Sequence, residues 1–327
     1  AACARCLEEF DQPLEIEFVT TSKCNLGCIY CYMQNNNNET FTYEQFMNFA
    51  QSLPEILNLY QTNSYNFTFF GGEPTLNWNV CKKIIEFLKS DQKCNKIIFV
   101  SNGIELDDEK INILISNKVH ISISYDGPYL NNRKFFKKDN YQLFNDDKME
   151  KLRKISGFKV MLHPENFLGD EDILIKTFEY FIKFKSIPDM TLVRDKIWTD
   201  KHIKEFEKAI IKFRKYVVEN LTYIPAPFSL LHQDILSFYE QGKRPFACFC
   251  GHSGIGVFND GRVYPCARFG SNNKDSWIYD YTKQETNLDN WAKFNDQKVF
   301  NPKQYDKCKQ CEIRNFCNAG CIYSQVT

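Results

Sequence analysis

Three cysteines near the start of the chain have a spacing that can hold a metal centre. Cys24, Cys28 and Cys31 follow one another as C-x3-C-x2-C. Their thiolates can bind three irons of a four-iron cluster, which leaves the fourth iron open to a small molecule. A zinc knuckle or a buried group of cysteines is the alternative interpretation. These three residues alone do not decide between them.

A glycine-rich turn about forty residues later supplies a second motif. Residues 71–75 read GGEPT directly after a predicted strand, and glycines let a backbone approach a ligand closely because they have no Cβ. Alone, the turn is more typical of an ordinary strand-to-helix connection. Together, the two motifs resemble those of the radical S-adenosylmethionine (radical SAM) family. That resemblance implies a [4Fe–4S] cluster on the three cysteines, with S-adenosylmethionine (SAM) chelated at the open iron.

The resemblance also implies further contacts to SAM. The GGEP turn would bind the methionine amino group, and the segments 101–103 and 124–128 at the next two predicted strand ends would contact the ribose and the carboxylate. Turn formation alone is the alternative for both segments. Arg133 would pair with the cofactor carboxylate, whereas a single arginine in a basic loop is usually solvated. The cofactor-binding residues expected in this way are Tyr30, Gly71, Gly72, Glu73, Pro74, Asn102, Ser124 and Arg133.

A second group of cysteines lies near the C-terminus. Cys250, Gly261 and Cys266 form a C-x10-G-x4-C segment, and residues 308–321 form C-x2-C-x5-C-x3-C. Paired C-x2-C motifs often bind zinc, but this order of spacings resembles the SPASM extension of radical SAM enzymes that modify peptides and proteins. The resemblance implies two auxiliary iron–sulfur clusters. The first would be held by Cys266, Cys321 and one or both of Cys248 and Cys250, and the second by Cys308, Cys311 and Cys317.

The second auxiliary cluster has only three of these ligands. The family usually supplies a further cysteine downstream, whereas this sequence ends at Thr327. We expect either an open iron at this cluster or a longer natural chain. Cys3 or Cys6 could fill the position, although a short frayed end is the simpler interpretation of their segment.

Strands and helices that alternate along the chain must position these motifs. Thr42 and Gln45 form a capping box before the first predicted helix, and the last predicted helix begins at Asp200. Its predicted buried stripe is Ile203, Phe206, Ile210, Phe213 and Val217. The predicted strands are 15–20, 66–70, 96–100, 119–125, 158–162 and 190–194. We assign no element to the polar, basic segment 131–148.

Six β–α units in a row imply an α/β fold with a parallel sheet and right-handed crossovers. The resemblance implies the same architecture, a partial (β/α)6 TIM-type barrel with its chemistry at the carboxyl ends of the strands. After this alternation stops, residues 255–258 and 262–265 predict a β-hairpin around a glycine turn.

Three domains follow from this organisation. We predict an N-terminal extension at residues 1–14, the radical SAM barrel at 15–240 and the SPASM domain at 241–327. Peptide maturases often carry a leader-binding domain before the barrel. No such domain fits before Glu15, so we expect it to be absent, separate or not in this chain.

Composition limits the possible partners and location. The 327 residues include 41 Lys+Arg and 41 Asp+Glu, so a nucleic-acid or membrane-surface role based on bulk charge is not expected. No apolar run approaches the ~20 residues of a membrane span, and no signal peptide is recognisable. We therefore predict a cytoplasmic protein. In such a chain, 14 cysteines indicate metal binding rather than disulfides.

The resemblance predicts a radical SAM oxidoreductase. It would cleave SAM reductively to a 5′-deoxyadenosyl radical and abstract hydrogen from a ribosomally made peptide. Crosslinking or another side-chain or backbone modification would follow, with flavodoxin or ferredoxin as electron donor. We assign no catalytic residue from the sequence.

Two alternatives remain. An anaerobic sulfatase-maturing, formylglycine-forming enzyme is weakened because those enzymes carry an aspartate base just after the cysteine that Cys266 matches, where this chain has Ala267. A non-catalytic iron–sulfur electron carrier would have no use for the GGEP turn or for an open iron.

Overall fold

The computed structural model describes residues 12–33, 39–130, 132–133, 144–193, 196–220, 250–295, 306–310, 321 and 323. The strands are β1 (Leu14–Thr21), β2 (Tyr65–Gly71), β3 (Cys94–Ser101), β4 (His120–Ser124), β5 (Ser156–Leu162), β6 (Asp189–Leu192), β7 (Gly254–Val257), β8 (Arg262–Tyr264), β9 (Tyr279–Asp280) and β10 (Glu285–Thr286). The helices are α1 (Tyr43–Leu59), α2 (Trp78–Ser90), α3 (Asp108–Ser116), α4 (Asp146–Leu152), α5 (Ile173–Lys183), α6 (Asp200–Asn220), α7 (Ala267–Asn272), α8 (Leu288–Asn295) and α9 (Asp306–Lys309).

All described strands belong to one sheet, in the order β10-β9-β8-β7-β1-β2-β3-β4-β5-β6. Strands β1 to β6 are parallel neighbours in chain order, which confirms the predicted α/β fold of the partial-barrel type. The predicted hairpin forms as β7 and β8 and extends this sheet, because β7 pairs in parallel with β1, with Glu15 opposite Gly254. The division at residue 240 lies outside the described residues and stays a prediction.

The side chains of β1 alternate between the core beneath α1 and the opposite face of the sheet. Ile16 and Phe18 are fully buried, and the Phe18 ring lies 5.7 Å from the ring of Phe46 on α1. Side chains of neighbouring strand residues point to opposite faces. Glu15 and Glu17 therefore face away from α1, on what we call the inner face.

The first helix starts where the sequence predicts. The Thr42 side chain accepts a hydrogen bond from Gln45 N at 3.1 Å, and Thr42 N donates to Gln45 Oε1 at 2.9 Å, which confirms the capping box.

Helix α6 follows its predicted stripe except at its start. Phe213 and Val217 are buried and Phe206 and Ile210 pack against the core, but Ile203 is 50% exposed and the neighbouring His202 is buried. The His202 ring lies 3.2 Å from Glu165 and bonds the Thr199 side chain.

Helix α4 was not predicted. It begins within the segment that was left without an element, and its seven residues contain only two buried side chains, Met149 and Leu152. Such a short stretch gives too few apolar positions to reveal a helical period.

None of the described helices is long and apolar enough to cross a membrane.

Candidate active site

The N-terminal cysteines lie in residues 22–33, here called the cysteine loop, directly after the carboxyl end of β1. Cys28 is buried, Cys31 N donates to Cys28 O at 3.0 Å, and burial, together with Cys24 and Cys31, raises the pKa of Cys28. Leu26 N donates to Cys24 Sγ at 3.4 Å and helps to hold the loop. The structure therefore places the three thiols in one group at the edge of the sheet where chemistry was expected.

The chemistry of these thiols fits an iron–sulfur cluster. Burial raises the pKa of Cys24 to about 11 and that of Cys28 to about 12, so thiolates here need a bound metal to form at neutral pH. Within the described residues, no group of three or more His, Cys, Asp or Glu side chains could hold one metal ion. Three thiolates are a ligand set that fits a four-iron cluster with one open iron.

The GGEP turn packs on the cysteine loop itself. Gly72 N donates to Thr21 O and Glu73 N donates to Lys23 O, both at 2.8 Å. A Cβ on Gly72 would lie 2.1 Å from Lys23 O, and Gly71 has a φ of +137°. The glycines are therefore required by this backbone contact, and the predicted approach to a ligand remains a prediction.

Glu73 holds the GGEP turn against the end of β3. Its carboxylate is buried and accepts hydrogen bonds from Ser101 Oγ at 2.8 Å and Asn102 N at 2.7 Å, and from both the amide and the hydroxyl of Thr75. Burial raises the pKa of Glu73, and these hydrogen bonds oppose that rise. These four hydrogen bonds engage both oxygens of the carboxylate, so its geometry is that of a positioning residue. Pro74 begins the 3₁₀ turn that follows.

Asn102 connects the end of β3 to the cysteine loop. Its side-chain amide donates to Asn25 Oδ1 at 2.6 Å and lies 3.9 Å from Cys24 Sγ. Asn25 was missed from the sequence, where nothing distinguishes it from the other polar residues of the loop.

Arg133 is buried rather than solvated. Its Nε lies 3.1 Å from Asp126 Oδ1, and its Nη1 lies 3.9 Å from Cys28 Sγ. Tyr30 Oη donates to Asp126 Oδ2 at 2.7 Å. Burial opposes the charge of Arg133, yet Asp126, followed by Tyr30 and Cys28, raises its pKa. Ser124, two residues before Asp126, ends β4 and is half-buried.

Asp126 is a site residue that sequence reasoning missed. It lies in the segment 124–128, where an Asp-Gly-Pro sequence is also typical of a turn. Because the sequence there is typical of a turn, it does not reveal that Asp126 is buried and only 2% exposed.

Glu17 is a second missed carboxylate, and it lies on the inner face beside the C-terminal hairpin. Ala267 N donates to Glu17 Oε2 at 3.0 Å. Burial raises the pKa of Glu17, while the Ala267 amide and then the charges of Arg268 and Lys159 lower it. The signal in the sequence was the alternation of glutamates with apolar residues along β1.

Part of the second cysteine group comes together in the structure. Gly251 N donates to Pro265 O at 2.9 Å, which brings the backbones next to Cys250 and Cys266 into contact. The Tyr323 ring packs 5.1 Å from that of Phe269 on α7, which places the segment of Cys321 near the same helix. Cys308 lies in α9. Outside the described residues lie Cys3, Cys6, Cys248, Cys311 and Cys317.

Known proteins resemble this chain both in the region of the candidate site and over most of its length. The model of the radical SAM superfamily matches residues 18–162, from β1 to the end of β5. The radical SAM cyclopropyl synthase TigE of Paramaledivibacter caminithermalis is 20% identical over 97% of this chain and 69% of that protein. A cysteine-type anaerobic sulfatase-maturating enzyme of Clostridium novyi is 24% identical over 92% of this chain and 85% of that protein.

A solved structure has the same fold. Native anSMEcpe with bound AdoMet and Cp18Cys peptide superposes with a TM-score of 0.70, covering 95% of this chain and 89% of that chain at 21% identity.

Proposed function

The chain carries a radical SAM domain, and from this premise we propose that it matures a ribosomally made peptide. The reaction would begin with reductive cleavage of SAM and abstraction of a hydrogen atom from the peptide, and would lead to a crosslink or another side-chain or backbone modification. The observation that carries the proposal is the group of three thiols with the GGEP turn packed on its loop. The bound peptide in the anSMEcpe structure supports a peptide as the substrate class.

The residues of the cysteine loop have distinct roles in this proposal. Cys24, Cys28 and Cys31 would hold the cluster. When bound, the cluster and SAM together supply the 5′-deoxyadenosyl radical that abstracts hydrogen. The GGEP turn would orient the methionine end of SAM, because its backbone is fixed to the loop at Thr21 and Lys23. Asn102 would fix the loop from the side of β3.

The C-terminal cysteines would hold auxiliary clusters in a SPASM domain at residues 241–327. Cys250 and Cys266 lie near the amino end of β1, because β7 starts beside Glu15 and the hairpin returns to that end. The cysteine loop lies at the other end of the same strand. A substrate on the inner face would then lie between the two kinds of cluster, where an electron can leave a substrate radical. Flavodoxin or ferredoxin would supply the first electron.

The test of this proposal is SAM cleavage by the reconstituted protein. Anaerobically reconstituted chain with a strong reductant should release methionine and 5′-deoxyadenosine. The Cys24→Ala, Cys28→Ala, Cys31→Ala triple variant should release neither, and Cys94→Ala, a half-buried cysteine outside the group, is the control. Cleavage by the triple variant would contradict the assignment. The natural peptide would then be sought among small peptides encoded beside this protein, by its change in mass.

Sulfatase maturation is the second candidate, and the position of Glu17 favours it. The sequence gives Ala267 where the similar enzymes have their base, but Glu17 brings a carboxylate to within 3.0 Å of the Ala267 amide. A carboxylate from β1 would then replace the missing aspartate as proton acceptor.

A synthetic C-x-P-x-R peptide separates the two candidates. If the chain is a sulfatase maturase, the wild type converts the cysteine to formylglycine and Glu17→Gln does not, while both still release 5′-deoxyadenosine. Glu15→Gln on the same strand and face is the control, since Glu15 bonds Asn66 instead. No formylglycine from the wild type would remove the second candidate.

A further inference from the structure

We propose that Arg133, fixed by Asp126 and Tyr30, raises the reduction potential of the cluster in the cysteine loop. The inference rests on the proposed function, since it requires a cluster at these cysteines. It gives Arg133 a positioning and electrostatic role that differs from the contact to the SAM carboxylate expected from the sequence.

The guanidinium is held in one place by buried partners. Asp126 lies 3.1 Å from Arg133 Nε, and the two side chains are only 2% and 10% exposed. The same carboxylate accepts hydrogen bonds from Met161 N at 2.9 Å and from Tyr30 Oη at 2.7 Å, so it is anchored to both β5 and the cysteine loop. The guanidinium carbon also lies 5.3 Å from the centroid of the Tyr30 ring. These contacts place the arginine charge beside the cysteine loop.

The free end of the guanidinium faces a proposed cluster ligand. Nη1 lies 3.9 Å from Cys28 Sγ, whereas Asp126 contacts the opposite end at Nε. Little water reaches the guanidinium or the thiol, so their interaction is weakly screened.

The sign of the effect follows from charge. Reduction adds one negative charge to the cluster, and a nearby cation stabilises the more negative state. Net charge and hydrogen bonds to the sulfurs are among the main determinants of cluster potentials. Arg133 should therefore make the cluster easier to reduce, and Asp126 should partly oppose it.

Two variants with opposite expected shifts test the inference. The midpoint potential of the cluster would be measured by EPR-monitored titration of the reconstituted full chain without SAM, using the signal that the triple cysteine variant lacks. Arg133→Gln should lower this potential, Asp126→Asn should raise it, and Arg133→Lys should lie closer to the wild type. Arg153→Gln removes a more exposed arginine paired with Glu150 and should leave it unchanged.

Several outcomes would overturn the inference. An unchanged potential in both Arg133→Gln and Asp126→Asn, with wild-type iron content, would do so. Weaker SAM binding by Arg133→Gln without a shift in the midpoint potential would also overturn it, and would favour a contact between Arg133 and the SAM carboxylate instead. If Arg133→Gln does not bind iron, the test rests on Asp126→Asn. An unchanged or lower midpoint potential in that variant would overturn the inference. A wild type without a reducible cluster at these cysteines would instead overturn the proposed function.

Discussion

Two glutamates near the proposed site have different surroundings, since Glu73 is buried and Glu17 is half-buried. Glu73 accepts four hydrogen bonds from Thr75, Ser101 and Asn102, and these satisfy both of its oxygens. Glu17 accepts one described hydrogen bond, from Ala267. A satisfied carboxylate serves to hold structure, whereas one with spare acceptor capacity on an inner face can meet a substrate.

Glu73→Gln should destabilise the protein. The amide nitrogen of glutamine cannot accept a hydrogen bond, so at least one buried donor would lose its partner at a cost of about 1–3 kcal/mol. Urea unfolding measures this loss, and SAM binding should weaken because the GGEP turn is held less firmly against β3. The exposed Glu86→Gln is the control and should change the free energy of unfolding by less than about 0.5 kcal/mol.

Glu17→Gln should alter how stability depends on pH. Burial raises the pKa of Glu17 in the folded state. Below about pH 4.3, the ordinary pKa of glutamate, Glu17 is protonated in both the folded and the unfolded state, so its burial carries no cost of ionisation. As the pH rises through the folded pKa, the wild type should lose stability relative to the variant. Unfolding of both proteins across this range gives the difference, with Glu86→Gln as the control for losing a carboxylate. A difference that does not fall with pH would contradict the prediction.

At the scale of elements, the C-terminal hairpin depends on one close backbone approach. A Cβ added to Gly256 on β7 would lie 2.5 Å from Ala267 N and from the carbonyl carbon of Cys266. The loop that carries a proposed auxiliary ligand therefore packs directly against the strand.

Gly256→Ala should displace Cys266. We expect a loss of about 1–3 kcal/mol, as for overpacking elsewhere, together with lower auxiliary iron and unchanged iron at the cysteine loop. Gly157→Ala on β5 is a matched control, because a Cβ there meets nothing within 4 Å. Full auxiliary iron in Gly256→Ala would show that Cys266 is not held through this contact.

The elements that sequence patterns predicted well are those with long apolar periods. The six parallel strands and the start of α1 could be predicted because alternation and capping are local. The burial of His202 at the start of α6 could not, since its ring contacts Glu165, which is distant in the sequence. The site could not be predicted fully for the same reason. Asp126 and Glu17 are distinguished only by their contacts with residues on other elements.

For the whole molecule, iron content tests how many clusters the chain holds. The fully reconstituted protein should bind about eight to twelve irons, from two or three four-iron clusters. Replacing the three cysteines of the cysteine loop by alanine should remove about four. Zinc as the main bound metal would contradict both the cluster and the proposed reaction.

Cys321 tests how the C-terminal cysteines are divided. The structure places the segment of Cys321 near α7, which begins directly after Cys266. Cys321→Ala should therefore reduce the iron held with Cys266 while Cys308, Cys311 and Cys317 keep a three-cysteine site. Mössbauer spectra of the variant and the wild type measure this division. A single metal bound by Cys321 together with those three cysteines would contradict it.

The parallel pairing of β1 with β7 has a consequence for synthesis on the ribosome. Strand β1 is central in the sheet, yet its partner on one side emerges about 240 residues later in the chain. Until then, one edge of β1 has unpaired backbone groups and can join another chain. Contacts so distant in sequence also form slowly. The nascent barrel should therefore depend on chaperones until the hairpin has been made.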